Sequence, residues 1–363
     1  MAERMFVEGN EAVGWGALAA GCEGFFGYPI TPQNETTNWF AHEFPKRGRV
    51  FVQTESETGS INMLMGGAIA GARVMTSTSS PGWSLMQEGM SHIAAAELPC
   101  VVVLVSRGGP GGGTTRHSQM DYMSTTKGGG HGGYKTIVLA PASVQETHDL
   151  VQLAFYLADI HRTPVVLLSD GIVGQAEESL DVETIDFGPV PDKEWAFIGR
   201  EKHMNKTGSL VISTGGIPII TPYPTYVSYI EHLKEKYQHI TDTEVRYEMY
   251  QAEDAQLLTI AFGYCARSCK EAVNTARDKG LKVGLLRPIT LWPFPSQIIK
   301  EKASQGCKIL VVEDNQGLMV EDVKIAVEGR AEVNLLDISG RHLPTDGGMI
   351  MPGRVFEEVN KLL

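Results

Sequence analysis

LPCVVVLVSRGGPGGG, residues 98–113, contains an unbroken apolar run, CVVVLVS (100–106), that stops at one cation, Arg107, and a glycine-rich loop. PVVLLSD at 164–170 has the same form. Strands that are apolar at every position are buried on both faces, and such strands belong to parallel sheets covered by helices. Around these two, strands are expected at 4–7, 23–27, 50–53, 73–77 and 136–140. Helices are expected at 10–20, 33–44, 57–70, 84–96 and 144–160, the last with Ser143 as N-cap and Glu146 completing a capping box. The alternation predicts an α/β domain over residues 1–178.

Residues 179–250 break the rhythm with DFGPVPDKEW, TGGIPIITPYPTY and the charged helix IEHLKEKYQHI, and read as a linker with an excursion. From Leu257 a second alternation begins: LLTIAFG, a helix at 266–278, KVGLLRP, a helix at 296–303, KILVVED, a helix at 318–327 and EVNLLDI. Residues 251–363 are therefore expected to form a second, smaller parallel-sheet domain.

The chain has 363 residues, 42% of them hydrophobic, and a formal charge of −12, which argues against a nucleic-acid binder. No run reaches the length of a membrane span, and MAERMFVEGNEAVGW lacks a signal-peptide core, so a soluble cytoplasmic protein is expected. The 5 cysteines (Cys22, Cys100, Cys265, Cys269 and Cys307) show no disulfide or ferredoxin-type spacing, so no metal or iron–sulfur site is expected in this chain.

Three segments leave a polar residue where an apolar strand ends: Thr31 in GYPITP (27–32), Glu57 in TESETGS (54–60), and Arg107. In an open α/β sheet the carboxyl ends of neighbouring strands are where ligands bind. The prolines stiffen the first turn, which either positions the Thr31 hydroxyl or is a plain turn with Thr31 capping the next helix. Glu57 opens a helix running into INMLMGGAIAGA, and is either a dipole partner or a carboxyl that reaches a cofactor ring nitrogen. Arg107 needs an anion, which a protein carboxylate or a substrate supplies. The glycines after it do not match the dinucleotide or Walker spacings. Arg116 and His117 in TTRHSQMDY, and His131 in TKGGGHGGYK, lie in glycine-rich surroundings that read as surface loops.

Taken together, the three segments resemble the α subunit of the 2-oxoacid:ferredoxin oxidoreductases, of the 2-oxoisovalerate or 2-oxoglutarate type. VVEDNQGLMVEDV (311–323) looks like the family's second domain. TKGGGHGGYK is similar to the branched-acid enzymes and TTR (114–116) to the 2-oxoglutarate enzymes. The resemblance implies a thiamine-diphosphate pyrimidine-type module followed by a transketolase C-terminal-like domain. It implies oxidative decarboxylation of a 2-oxoacid to acyl-CoA and CO₂, with coenzyme A as co-substrate and ferredoxin reduced. Glu57 then matches the glutamate on the aminopyrimidine ring, with Tyr28 and Pro29 beside the cofactor. Thr31 and Arg107 match the residues that hold the 2-oxoacid, and Arg116 is a candidate for the far carboxylate of a dicarboxylic substrate. The chain has no GDG…N segment, so the resemblance assigns the diphosphate and Mg²⁺ to a β subunit. It places [4Fe-4S] clusters on partner subunits, among them a ferredoxin-like δ subunit, with a γ subunit completing the assembly. The alternative within the same chemistry is a non-redox thiamine-diphosphate subunit, a decarboxylase or transketolase-like half.

Overall fold

The computed structural model describes residues 3–196, 211–214, 217–220, 223, 225–338 and 348–363. Parts of the expected linker and residues 339–347 thus lie outside the described residues.

The first part runs β1 (Glu3–Glu8), α1 (Gly9–Ala19), β2 (Gly24–Gly27), α2 (Asn34–Lys46), β3 (Val50–Gln53), α3 (Glu57–Ile69), β4 (Val74–Ser79) and α4 (Ser80–Ala95). It continues with β5 (Cys100–Ser106), α5 (Tyr122–Thr126), β6 (Ile137–Leu139), α6 (Val144–His161), β7 (Pro164–Asp170), α7 (Gly171–Gln175) and β8 (Glu177–Val182). An antiparallel hairpin, β9 (Val211–Thr214) and β10 (Ile217–Ile220), precedes α8 (Tyr226–Thr243). The second part holds β11 (Tyr247–Tyr250), β12 (Leu257–Ile260), α9 (Gly263–Asp278), β13 (Val283–Pro288) and β14 (Thr290–Trp292). It ends with α10 (Ser296–Ser304), β15 (Lys308–Val312), α11 (Met319–Val327), β16 (Val333–Leu336) and α12 (Pro352–Leu362).

Among the described residues the larger sheet has the order β14-β6-β7-β5-β4-β2-β3, with β14 alone antiparallel. As their composition requires, β5 and β7 are buried at every position and pair over their whole length, from Cys100↔Pro164 to Ser106↔Asp170. The strand order reverses between β2 and β4: the chain goes from β2 outward to β3, then back across to β4 and on to β5. All the carboxyl ends that matter, those of β2, β3, β4, β5 and β7, lie on one edge.

The second sheet has the order β11-β13-β12-β15-β16, parallel except for β11. β11 opens this sheet four residues before the division expected at 251. The strand expected at 4–7 does not join the larger sheet: β1 pairs antiparallel with β8. Its side chains alternate, Met5 and Val7 packing against Ala12, Val144 and Leu180 while Phe6 is exposed, as suits a surface ribbon rather than a buried parallel strand. α4 starts at Ser80 rather than 84, because Pro81 serves as a helix-opening residue.

The two parts are joined by more than the chain. β14 extends the larger sheet beside β6. Arg287 on β13, buried, donates from both Nη atoms to the two oxygens of Glu146 (2.9 and 2.6 Å) and from Nε to Glu248 (2.9 Å). Ser143 caps α6 as expected by accepting from the Glu146 N–H. The Glu146 carboxylate does not complete the box: it accepts from Ala142 N–H and grips Arg287 instead. Burial alone would raise Glu248, but hydrogen bonds from Arg287 and Lys270 hold it below the usual carboxylate range.

Arg287→Met leaves Glu146 without its cation and Glu248 with Lys270 alone. Because each is about a third exposed, the expected cost is about 2–3 kcal/mol rather than the larger value of a fully buried pair. Chemical denaturation of the variant measures it; an unchanged midpoint would show that the clamp is energetically neutral.

Candidate functional site

The site is built on the strand ends at the reversal point, the place where ligands bind in open α/β sheets. β2 and β4 pair only at Gly24↔Val74 and Phe25↔Met75, and beyond these the two strands part. β4 goes on pairing with β5 as far as Ser79↔Val105. Its last four residues, Thr76, Ser77, Thr78 and Ser79, are polar yet fully buried. Thr76 Oγ1 and Ser79 Oγ have no hydrogen-bond partner among the described residues.

The turn after β2 carries Tyr28, Pro29 and Thr31. It is gripped through its carbonyls, with Asn10 Nδ2 donating to Pro32 O (2.7 Å) and Arg107 Nη1 to Thr31 O (2.9 Å). Pro29 is exposed and Tyr28 half-buried. Thr31 does not cap α2; its hydroxyl oxygen accepts from Asn34 Nδ2 (3.3 Å), leaving the hydroxyl hydrogen to donate elsewhere.

Glu57 is the first residue of α3, behind Ser56, whose side chain caps the helix. It is 5% exposed, and no group among the described residues hydrogen-bonds its carboxylate. Its wall is Gly82, in the first turn of α4: a Cβ there would sit 2.5 Å from Glu57 Oε1 and 2.2 Å from Thr78 Oγ1. A buried carboxylate facing a position where only glycine fits is a built feature, since a buried charge demands a partner.

Arg107 follows β5 and reaches Thr31. Its Nη2 donates to Gly112 O (2.9 Å) and its N–H to Ser80 Oγ (2.9 Å), while Nε is buried without a partner. The Ser80 and Ser106 hydroxyls both donate to Asp121 Oδ2. Burial pushes the Asp121 carboxyl above its ordinary range, against the pull of those hydroxyls and of Arg107.

Thr31 and Arg107 are thus in direct contact, and the first turn of α4 lies between Arg107, touched by Ser80, and Glu57, touched by Gly82. The loop after Arg107 folds back on itself: Arg107 and His117 form an antiparallel bridge, and Gly108 N–H donates to Arg116 O (3.0 Å). Arg116 is exposed and lines a cleft of about 310 Å³ with His117, Asp314 and Arg354. Arg107 lines a neighbouring cleft of about 330 Å³ with Ser80, Asp121 and Gln316. The two clefts share Gly109 and Met120, but neither is lined by Glu57. His131 is exposed on a separate glycine-rich loop pressed on α4.

Sequence reasoning passed over Gln119, which pins this loop to the second domain through all four of its polar groups. Its N–H donates to Asp314 O (2.8 Å) and Nε2 to Phe262 O (2.9 Å). Oε1 accepts from Asp314 N–H (3.1 Å) and its carbonyl from Asn315 Nδ2 (3.1 Å). Phe262 and Asp314 stand at the carboxyl ends of β12 and β15, so the edge of the second sheet supports the glycine-rich loop of the first. The neighbouring Gly263 has φ +56°, and a Cβ there would lie 2.4 Å from Asp170 Oδ2 and 2.8 Å from Gln119 Nε2. His117 Nδ1 lies 2.7 Å from Asp314 Oδ2 across the same junction.

Residues 15–252 match the family model described as pyruvate flavodoxin/ferredoxin oxidoreductase, thiamine diphosphate-binding, and residues 255–348 match pyruvate:ferredoxin oxidoreductase core domain II. The ketoisovalerate oxidoreductase subunit VorB of Methanothermobacter marburgensis is 48% identical over 94% of this chain and 95% of its own. The 2-oxoglutarate synthase subunit KorA of the same organism is 36% identical over 100% of this chain and 99% of its own. The solved 2-oxoglutarate:ferredoxin oxidoreductase of Magnetococcus marinus, with 2-oxoglutarate, coenzyme A and succinyl-CoA bound, superposes with a TM-score of 0.84 at 27% identity. That match covers 99% of this chain and 65% of that one. With both domain models in sequence order and close relatives along nearly its whole length, the chain belongs to the 2-oxoacid:ferredoxin oxidoreductase family, as a thiamine-diphosphate-binding module followed by core domain II.

Proposed function

We propose that this chain is the α-type subunit of a 2-oxoacid:ferredoxin oxidoreductase that converts a branched 2-oxoacid of the 2-oxoisovalerate type, with coenzyme A, to acyl-CoA and CO₂ while electrons pass singly to ferredoxin. The observation that carries this reading is the buried, unpartnered carboxylate of Glu57 at the reversal point of the sheet. It fits the aminopyrimidine end of thiamine diphosphate.

When bound, thiamine diphosphate supplies the nucleophilic carbon and the electron sink for decarboxylation. Glu57 faces the pyrimidine ring nitrogen, with no hydrogen bond from the described residues competing for its carboxylate. Arg107, each of whose Nη atoms spends one N–H on a carbonyl, keeps a second N–H on each for the substrate carboxylate. Thr31 turns its hydroxyl hydrogen toward the 2-oxo group. Tyr28 and Pro29 form the approach to the ring.

The diphosphate and Mg²⁺ site is assigned to a β subunit and the [4Fe-4S] clusters to a ferredoxin-like δ subunit, with a γ subunit completing the enzyme. The absence of a GDG…N segment and of a ferredoxin-type cysteine run in this sequence supports that division. A cytoplasmic location goes with this reading; no helix among the described residues is long and apolar enough to cross a membrane.

The relatives support the branched substrate, 48% identity to the ketoisovalerate subunit against 36% to the 2-oxoglutarate subunit. Arg116 supports the second reading, 2-oxoglutarate, because it stands beside the Arg107 cleft and can meet a far carboxylate.

In the reconstituted complex Arg107→Lys is expected to lower kcat/KM for the 2-oxoacid more than tenfold, since a point charge cannot reproduce a planar grip and charge-assisted hydrogen bonds contribute roughly 1.5–3 kcal/mol. A kinetically silent substitution would reassign Arg107 to holding the turn alone.

Arg116→Ala separates the two substrates. On the branched reading, kcat/KM falls equally for both acids or for neither. A selective loss on 2-oxoglutarate, about tenfold or more, would establish the dicarboxylate instead. Steady-state assays of both acids with one enzyme preparation decide it.

A further inference from the structure

Gln33 stands at the N-cap of α2, where Ser, Thr, Asp or Asn usually caps, yet its side chain makes no cap. It turns inward and is 0% exposed, filling the gap where β2 and β4 part. Its Nε2 donates to Tyr28 O (3.2 Å), at the start of the turn. Its Oε1 accepts from Ser77 Oγ on β4 (2.5 Å) and from Thr37 Oγ1 on α2 (3.1 Å). Its own N–H donates to Ile30 O (3.0 Å) and closes the turn from the other side. One amide therefore takes over the work of the missing β2–β4 ladder: it ties the turn bearing Thr31 to β4.

The consequence reaches Arg107. Thr31 O is one of the two carbonyls that fix the Arg107 guanidinium, so the height of the turn above β4 sets where the guanidinium points. Glu57 is carried by β3 and α3 and faces Gly82 and Thr78; no hydrogen bond joins it to Gln33. From this geometry we propose that Gln33 is a positioning residue for the 2-oxoacid carboxylate, acting through the Tyr28–Pro32 turn and Arg107 and not through the Glu57 carboxylate. The proposal rests on the reading of Arg107 as the substrate's cation.

The test uses the reconstituted complex and two variants. Gln33→Met keeps volume and removes all three side-chain hydrogen bonds; Ser77→Ala removes one anchor and only one oxygen atom. Gln33→Met should raise KM for the 2-oxoacid about five- to tenfold, and Ser77→Ala about two- to fivefold, as expected for hydrogen bonds of ordinary net value. The thiazolium C2-proton exchange rate, measured with thiamine diphosphate and no 2-oxoacid, should stay within about twofold of the parent, because Glu57 is untouched.

A double-mutant cycle with Arg107→Lys should be non-additive in KM, since both changes disturb one grip. If Arg107→Lys alone is silent, the underlying reading of the site fails. If Arg107→Lys is damaging but the double variant is additive, or if C2 exchange falls in step with KM, the positioning role of Gln33 is overturned.

Discussion

The guanidinium of Arg107 joins two strand ends that the backbone ladder leaves apart. β2 and β4 share only two paired positions, so nothing in the sheet itself fixes the turn after β2 relative to the end of β5. Side chains do that work: Arg107 on Thr31, Gln33 on Tyr28, and Asn10 on Pro32. A cleft at a reversal point is a topological consequence of the strand order. Beyond Met75, where β4 has no ladder partner on its β2 side, the strand carries the buried polar run Thr76–Ser79.

The second domain is not an appendage to this cleft. Gln119 places the end of the Arg107 loop on the carboxyl edge of the second sheet, and the Arg287–Glu146–Glu248 cluster and β14 hold the two sheets in register. A loop with as many glycines as RGGPGGG (107–113) has high conformational entropy. Fixing both its ends to packed elements makes a defined surface out of such a sequence.

The strands of both parallel sheets were legible because burial on two faces leaves continuous apolar runs, as in CVVVLVS and KILVV. The helices followed from the spacing between those runs. β1 was misplaced because a short strand says little about its partner, and β14 and α12 were missed because three residues and a polar amphipathic segment stand out little against loop sequence. Thr31 and Arg107 were found as polar residues at strand ends, and the structure brings them into contact. Gln33, Gln119 and Gly82 had no such signal. Their importance lies in what they touch across 44, 195 or 25 residues of chain, and such pairings are not periodic. The buried TSTS run was the one local clue passed over: four polar residues ending a strand that begins as core.

The central claim is that the unpartnered carboxylate of Glu57 meets the aminopyrimidine ring. The most direct measurement is the thiazolium C2-proton exchange rate in the complex reconstituted with Glu57→Gln, with cofactor occupancy checked separately. General acid–base roles contribute ~10²–10⁴-fold, and a fall in exchange rate of that size is the predicted result. An unchanged rate with full occupancy would show Glu57 to be only the first residue of a helix, and would contradict the account.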